Sequence, residues 1–219
     1  MNSSYTLLRT NVLELIEQKP SLDILDVGCS TGVNGAFLRE RMGATVFGVD
    51  YEESYCRQAE SRLARVFHAD LNRVPLSGLP FGRRFDYVLF SDILEHLMMP
   101  WEALRDAISL LKPGGRIIVS VPNVAHWSTL ASLGLRGEWP SRSRGIHDRT
   151  HLRFFTRKTL YSLYAECGLD VELERRSIRL VERGTRLDHS RILSALLDVP
   201  VWRRYFVFQY LHLLRQRAV

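Results

Sequence analysis

Five short apolar runs mark the first half of the chain: Leu22–Val27, Thr45–Asp50, Ala64–Phe67, Phe85–Phe90 and Arg116–Val121. Runs of this length, rich in branched residues and without polar alternation, predict strands covered on both faces, as in a parallel sheet. The stretches between them read as helices. Asn34–Arg41 closes at Gly43, and Met99–Leu111 closes at Lys112-Pro113-Gly114-Gly115. Ahead of the first strand, Leu8, Val12, Leu15 and Ile16 stand at helical spacing and predict a helix over residues 5–19, stopped by Pro20-Ser21. Alternating strands and helices predict an α/β fold with helices on both faces of one sheet.

The later part of the chain reads differently. Thr156 is a good N-cap for a helix over Arg157–Glu166, ended by Cys167-Gly168. Asp170–Val181 predicts strand six, Leu187–Leu197 a helix before Pro200, and Phe206–Leu214 the seventh strand. An aromatic, basic helix over Trp202–Leu214 lying on a membrane surface is the alternative for that last stretch. Arg203 and Arg217 fall within its apolar side, so a strand is preferred.

Between the first strand and its helix lies the turn Gly28-Cys29-Ser30-Thr31-Gly32. Gly28 and Gly32 take positive φ at little cost and let a ligand approach the backbone. The turn lacks two of the three glycines of Gly-x-Gly-x-x-Gly, and it lacks the Gly-Lys-Ser/Thr ending of a phosphate-binding loop. Asp26, at the end of the strand, would repel a pyrophosphate and attract a cation. The ligand of this turn should therefore carry positive charge.

Composition adds limits. The chain has 219 residues, 46% hydrophobic and 25% charged, enough for one domain over residues 1–219 with a full core. The formal net charge of +6 favours an anionic partner, with arginine far outnumbering lysine. Cys29, Cys56 and Cys167 are odd in number and widely spaced, which argues against a disulfide framework or a zinc knuckle. No signal-type apolar core opens the chain, and Tyr205–Leu214 is too short to span a bilayer, so a cytoplasmic location is expected.

The pattern Asp26-x-Gly28-x-Ser30-x-Gly32 resembles motif I of the class I S-adenosylmethionine (SAM) methyltransferases, whose ligand carries a sulfonium and an ammonium and no phosphate. Further motifs follow in that family's order: Asp50 ending strand two, Asp70-Leu71 after strand three, Ser91 to Leu97 after strand four, Leu111-Lys112-Pro113-Gly114-Gly115, and Pro122-Asn123. The resemblance implies a Rossmann-like seven-stranded sheet with the last strand antiparallel, a SAM-binding core over residues 22–122 and a C-terminal part over 156–219. It implies that Asp26, Gly28, Cys29, Ser30 and Gly32 hold the amino-acid end of SAM. Asp50 would accept both ribose hydroxyls with Tyr51 along the adenosine, Asp70 and Leu71 would meet the adenine, and Ser91 would stand near the methyl group. Asp50 is alternatively the N-cap of the next helix, and Asp70-Leu71-Asn72 a plain turn opener.

Residues 123–155 form an insertion after strand five, read as a lid of loop character over the acceptor. It holds His126, Trp127, Trp139, His147 and His151 among five arginines, with glycines at 134, 137 and 145 allowing bends. Pro122-Asn-Val-x-His126, Arg136-Gly-x-Trp139 and His151-Leu-Arg-Phe-Phe-Thr156 look similar to methyltransferase domains that accompany bacterial surface-polysaccharide glycosyltransferases. That resemblance implies O-methylation of a sugar or glycolipid precursor. A hydroxyl acceptor needs a base working near neutral pH, and the candidates are His151, His96, His126 and His147. Trp127, Arg149 and Arg153 are the expected contacts to an anionic acceptor. Asp92, Glu95, His96 and His151 match a cation-binding set of ubiquinone-pathway and small-RNA 2′-O-methyltransferases, with Asp92 in place of the usual glutamate. The shorter arm argues against a metal, and none is expected. The alternatives are an RNA 2′-O-methyltransferase using a divalent cation and a SAM-binding protein without catalysis. Nucleic acid is not the expected partner, and peripheral membrane contact and oligomeric state are left open.

Overall fold

The computed structural model describes residues 7–180 and 202–217. The strands are β1 (Asp23–Val27), β2 (Thr45–Asp50), β3 (Arg65–His68), β4 (Phe85–Ser91), β5 (Leu111–Pro122), β6 (Leu169–Ile178) and β7 (Val207–Gln216). They form one seven-stranded sheet in the order β3-β2-β1-β4-β5-β7-β6. Strands β1 to β5 pair in parallel, and β7 runs antiparallel to both of its neighbours. This is the Rossmann-like sheet, with its antiparallel last strand, that the sequence implies. The expected helix over Leu187–Leu197 lies outside the described residues.

Successive side chains of the central strands point to opposite faces, and each face is covered. Leu25, Val27, Val88, Phe90, Ile117 and Val119 pack with Leu104 and Ala107 of α4 (Pro100–Ser109) and with Leu160 and Tyr164 of α6 (Arg157–Glu166). Ile24, Val46, Leu89 and Ile118 pack on the other face. There they meet Val12 and Leu13 of α1 (Thr10–Leu13), Leu38 of α2 (Val33–Met42) and Ala59 of α3 (Glu53–Ala59). Full burial of such a side chain is worth about 1.5–3 kcal/mol. Two-sided cover is why these strands read as unbroken apolar runs.

Three expectations are corrected. Among the described residues the N-terminal helix is Thr10–Leu13 rather than a helix running on to residue 19, residues 5 and 6 of the expected span lying outside the described residues. Leu15 and Ile16 are buried through three-residue turns, their N–H groups donating to Val12 and Leu13, and such turns keep nearly the same apolar spacing as a helix. Lys112-Pro113-Gly114-Gly115 lies inside β5, after α4 has ended. The insertion is not all loop, since it contains α5 (Trp127–Arg136), capped by the His126 side chain and ended by Gly137 at φ 62°. Thr156 caps α6 as expected, in a reciprocal box with Thr159. Among the described residues, no helix is long and apolar enough to cross a membrane.

Candidate functional site

The carboxyl ends of β1, β2 and β4 open into a cavity of about 960 Å³, within the range of ligand pockets. Gly28 (φ 73°), Ser30 (φ 49°) and Gly32 (φ 77°) are all left-handed. A Cβ at Gly28 would stand 2.0 Å from Ile93 Cδ1, so only glycine lets this turn lie against the segment after β4. The turn is tied to β2. The Gly28 and Cys29 N–H groups donate to the Val49 carbonyl at 2.8 and 3.1 Å, and the Ser30 N–H donates to Asp50 Oδ2 at 2.7 Å.

Asp50 Oδ1 accepts from the Glu52 N–H at 2.9 Å, while the α3 N-cap is Glu52, whose carboxylate accepts from the Ser54 N–H. Each Asp50 oxygen retains a second acceptor site at the cavity wall. If Asp50 accepts ribose hydroxyls as the resemblance implies, Asp50→Ala should weaken SAM binding by about 1–3 kcal/mol, measured by calorimetry. Unchanged affinity would remove Asp50 from the ribose role.

Asp26 is 1% exposed and neither carboxylate oxygen has a hydrogen-bond partner; burial, then the charge of Asp50, pushes its pKa up to about 7. The Ser30 and Ser91 hydroxyls on the cavity wall are likewise buried without partners. Buried polar atoms seldom go unpaired. Ser30 after β1 and Ser91 at the end of β4 fit a ligand that brings donors, whereas Asp26 lies off the cavity wall as a buried, unpaired carboxylate that an ammonium would suit. Tyr51, 71% exposed, also lines the cavity, as do Asp70 and Leu71. Asp70 accepts from the Asn72 N–H at 3.0 Å and pairs with Arg73 at 3.3 Å, so turn opener and cavity wall coincide. Cys29, also on the wall, is a buried thiol whose pKa is driven up by burial.

At the far end stand Asp92, Ile93 and His96. Asp92 (φ 57°) accepts from the Ser120 hydroxyl at 2.8 Å and from the Gln209 amide, and it pairs with Arg9 at 2.7 Å. It is thereby drawn away from the set with Glu95, His96 and His151. Glu95 is 1% exposed, its carboxylate oxygens have no hydrogen-bond partner in another residue, and burial raises its pKa well above the carboxylate range. Its carboxylate and the imidazole nitrogens of His96 and His151 come within 4.8 Å of one another. The two rings meet edge to face at 4.8 Å.

Both imidazoles have a fixed tautomer. His96 Nδ1 faces the Thr150 carbonyl at 3.3 Å and His151 Nδ1 faces the Ile146 carbonyl at 3.1 Å. A carbonyl only accepts, so Nδ1 carries the hydrogen and Nε2 the lone pair. Burial lowers both pKa values, for His151 with a further contribution from His96, so both rings are neutral at pH 7.

Of the four candidate histidines only His96 lines the cavity; His151 packs against it off the wall, and His126 and His147 lie off the wall as well. His126 is fully buried, with Nδ1 at the α5 N-terminus and Nε2 facing the Arg179 carbonyl at 3.0 Å. His147 is 1% exposed and meets the Thr129 hydroxyl at 3.1 Å. Of the expected acceptor contacts, Arg149 lines the cavity. Trp127 instead donates its indole N–H to the Leu180 carbonyl, and Arg153 donates to the Met98 carbonyl and covers the Trp101 ring. The sequence reading missed Arg9, Asn34, Asn72 and Thr150 on the wall. Arg9 carries no motif signal, being brought there by its N–H bond to Asn34 Oδ1 at 2.9 Å.

Comparison with known proteins agrees with this architecture. Residues 3–174 match the model of a methyltransferase-domain family. The chain is 33% identical over 153 residues to a ubiquinone biosynthesis O-methyltransferase of Cereibacter sphaeroides and 32% identical over 152 residues to one of Ruegeria pomeroyi. In each case the match takes in 68% of this chain, and the chain spans 60% of the relative's length. A SAM-dependent methyltransferase from Archaeoglobus fulgidus shares the fold at TM-score 0.63 and 19% identity, covering 98% of this chain and 93% of that one. The family match over most of the chain, on a Rossmann-like sheet open at its strand ends, makes this protein a member of the methyltransferase-domain family.

Proposed function

We propose that this single domain transfers the methyl group of SAM to a hydroxyl of an anionic small molecule, a sugar or glycolipid precursor, in the cytoplasm. The observation that carries the reading is a neutral His96 on the cavity wall, its Nε2 lone pair unopposed by the Nδ1 bond, with Arg149 on the same wall. The names of the ubiquinone biosynthesis O-methyltransferases above support an oxygen acceptor. SAM, when bound, supplies a methyl on a sulfonium that leaves as a neutral thioether. The chain's own residues orient the acceptor and take its proton. Arg149 holds an anionic group by its planar fork, and Nε2 of His151 or His96 accepts the hydroxyl proton as the carbon–oxygen bond forms. Holding both reactants in register supplies much of the rate, on the order of 7–11 kcal/mol in favourable cases.

A second reading rests on Glu95. A buried carboxylate without a partner, beside two imidazoles with lone pairs on Nε2, fits a divalent cation held by Glu95, His96 and His151. Such a cation would lower the pKa of an acceptor hydroxyl.

One assay separates the readings: turnover of phosphorylated and unphosphorylated sugar acceptors with and without a chelator. Chelator-insensitive turnover that prefers phosphorylated acceptors is the expected result. Loss of activity restored by magnesium or manganese would favour the cation and give weight to an RNA 2′-hydroxyl acceptor. Equal turnover of uncharged acceptors would remove the anionic requirement. SAM binding without turnover of any hydroxyl acceptor would leave a SAM-binding protein.

A further inference from the structure

Helix α5 presents its apolar side to solvent. Its protein-facing side carries Thr129 and Ser132, both buried, whereas Trp127, Leu130, Leu133 and Leu135 are exposed, Leu135 by 86%. A surface helix held by its own apolar stripe would face the other way. Single exposed apolar residues are ordinary, but four on one ten-residue helix form a patch that marks an interaction surface. The patch continues across the neighbouring loop. The Glu138 N–H donates to the Ser132 carbonyl, Trp139 packs edge-on against Phe154 at 4.8 Å, and Trp139, Leu152 and Phe154 are all exposed. Leu152 also lines the cavity, so the patch reaches the mouth of the transfer site.

The same segment is strongly basic. Residues 123–155 carry Arg136, Arg142, Arg144, Arg149 and Arg153 against only Glu138 and Asp148. Exposed leucine and tryptophan among arginines suit the interface of an anionic bilayer, where apolar side chains enter the headgroup boundary and arginines meet phosphates. A symmetric contact with a second copy would bring these arginines against their own counterparts.

We propose that α5 and the adjoining loop dock on an anionic bilayer surface and turn the cavity mouth toward an acceptor held at that surface. The proposal extends the acceptor reading above, but its readout needs no turnover, so failure of one is distinguishable from failure of the other.

The test is flotation of the full chain with vesicles of phosphatidylcholine alone and of phosphatidylcholine mixed with phosphatidylglycerol. The chain should float with the mixed vesicles, less with phosphatidylcholine alone, and less as salt is raised. The double substitution Leu130→Asp, Leu135→Asp should lower partition at least about ten-fold, since it removes apolar contact and adds like charge to the bilayer. Neither residue lines the cofactor cavity, so unchanged SAM affinity by calorimetry shows that the variant is folded. Trp202→Asp, at a residue 60% exposed outside this segment, should leave partition as it was. The proposal is overturned if the parent chain ignores mixed vesicles, if the double variant floats equally well, or if Trp202→Asp costs as much. A dimer of the parent chain that the double variant splits would give this face to a second copy and overturn it too.

Discussion

His151→Ala should lower kcat by about 10²- to 10⁴-fold on a matched acceptor, with SAM affinity nearly unchanged. His151 stands behind His96, off the cavity wall, so its removal leaves the cofactor contacts in place. What it removes is a neutral imidazole whose Nε2 can take a proton, or one side of the packing that holds His96 in place. The two roles separate by rescue. Added imidazole should restore part of the turnover of His151→Ala if the residue is the base, and should do nothing if the ring only supports His96. His96→Ala, on the wall itself, should cost as much or more. Wild-type turnover in both variants would remove acid–base chemistry from this pair, and a raised requirement for magnesium or manganese would identify them as ligands.

On the proposed reading that the SAM ammonium pairs with Asp26, Asp26→Ala should weaken SAM binding by about 2–5 kcal/mol, the cost of removing one partner of a buried charge pair. The same change should make the cofactor-free protein more stable, by about 1–3 kcal/mol, because it deletes a buried carboxylate that has no hydrogen-bond partner. The pH dependence follows from the raised pKa of about 7 against an ordinary 3.8. Between those values the folded state binds more protons than the unfolded one, so cofactor-free stability falls as pH rises through about 4 to 7. Binding runs the opposite way, since an ammonium needs the ionised carboxylate. SAM affinity should drop about ten-fold from pH 8 to pH 6 and lose that dependence in Asp26→Ala. Calorimetry at the two pH values and thermal unfolding without cofactor measure both signs. Equal wild-type affinity at the two pH values would sink the ammonium assignment.

The central strands and the glycine turn were legible because their physical constraints are local. Ile24 on one face and Leu25 and Val27 on the other must be apolar, and Gly28 takes a positive φ against Ile93. Other parts depended on distant partners. Leu15 and Ile16 keep helical spacing in turns, so the same pattern served two backbones. Helix α5 was hidden because Gly134 sits within it and its apolar residues point outward, against the usual rule. Histidine type alone could not separate His126, buried as a helix cap, from His96, set on the wall. Asp92 was grouped with Glu95 by resemblance to a cation-binding set, whereas Arg9, more than 80 residues earlier, pairs with it.

Strand β7 is the latest described strand in sequence, yet it lies inside the sheet, hydrogen-bonded to β5 on one side and β6 on the other. On a ribosome, residues 111–122 and 169–178 emerge first and have no strand between them. Until residues 207–216 follow, β5 keeps one bare edge and β6 has no neighbour at all, and bare edges invite pairing with other chains. Vectorial synthesis therefore delivers the half of the sheet that carries the glycine turn early and leaves the half around β5 and β6 waiting. Gln209, which donates to Asp92 on the cavity wall, arrives on that same late strand. A nascent chain can thus shape its glycine turn well before the Asp92 end of its cavity is complete.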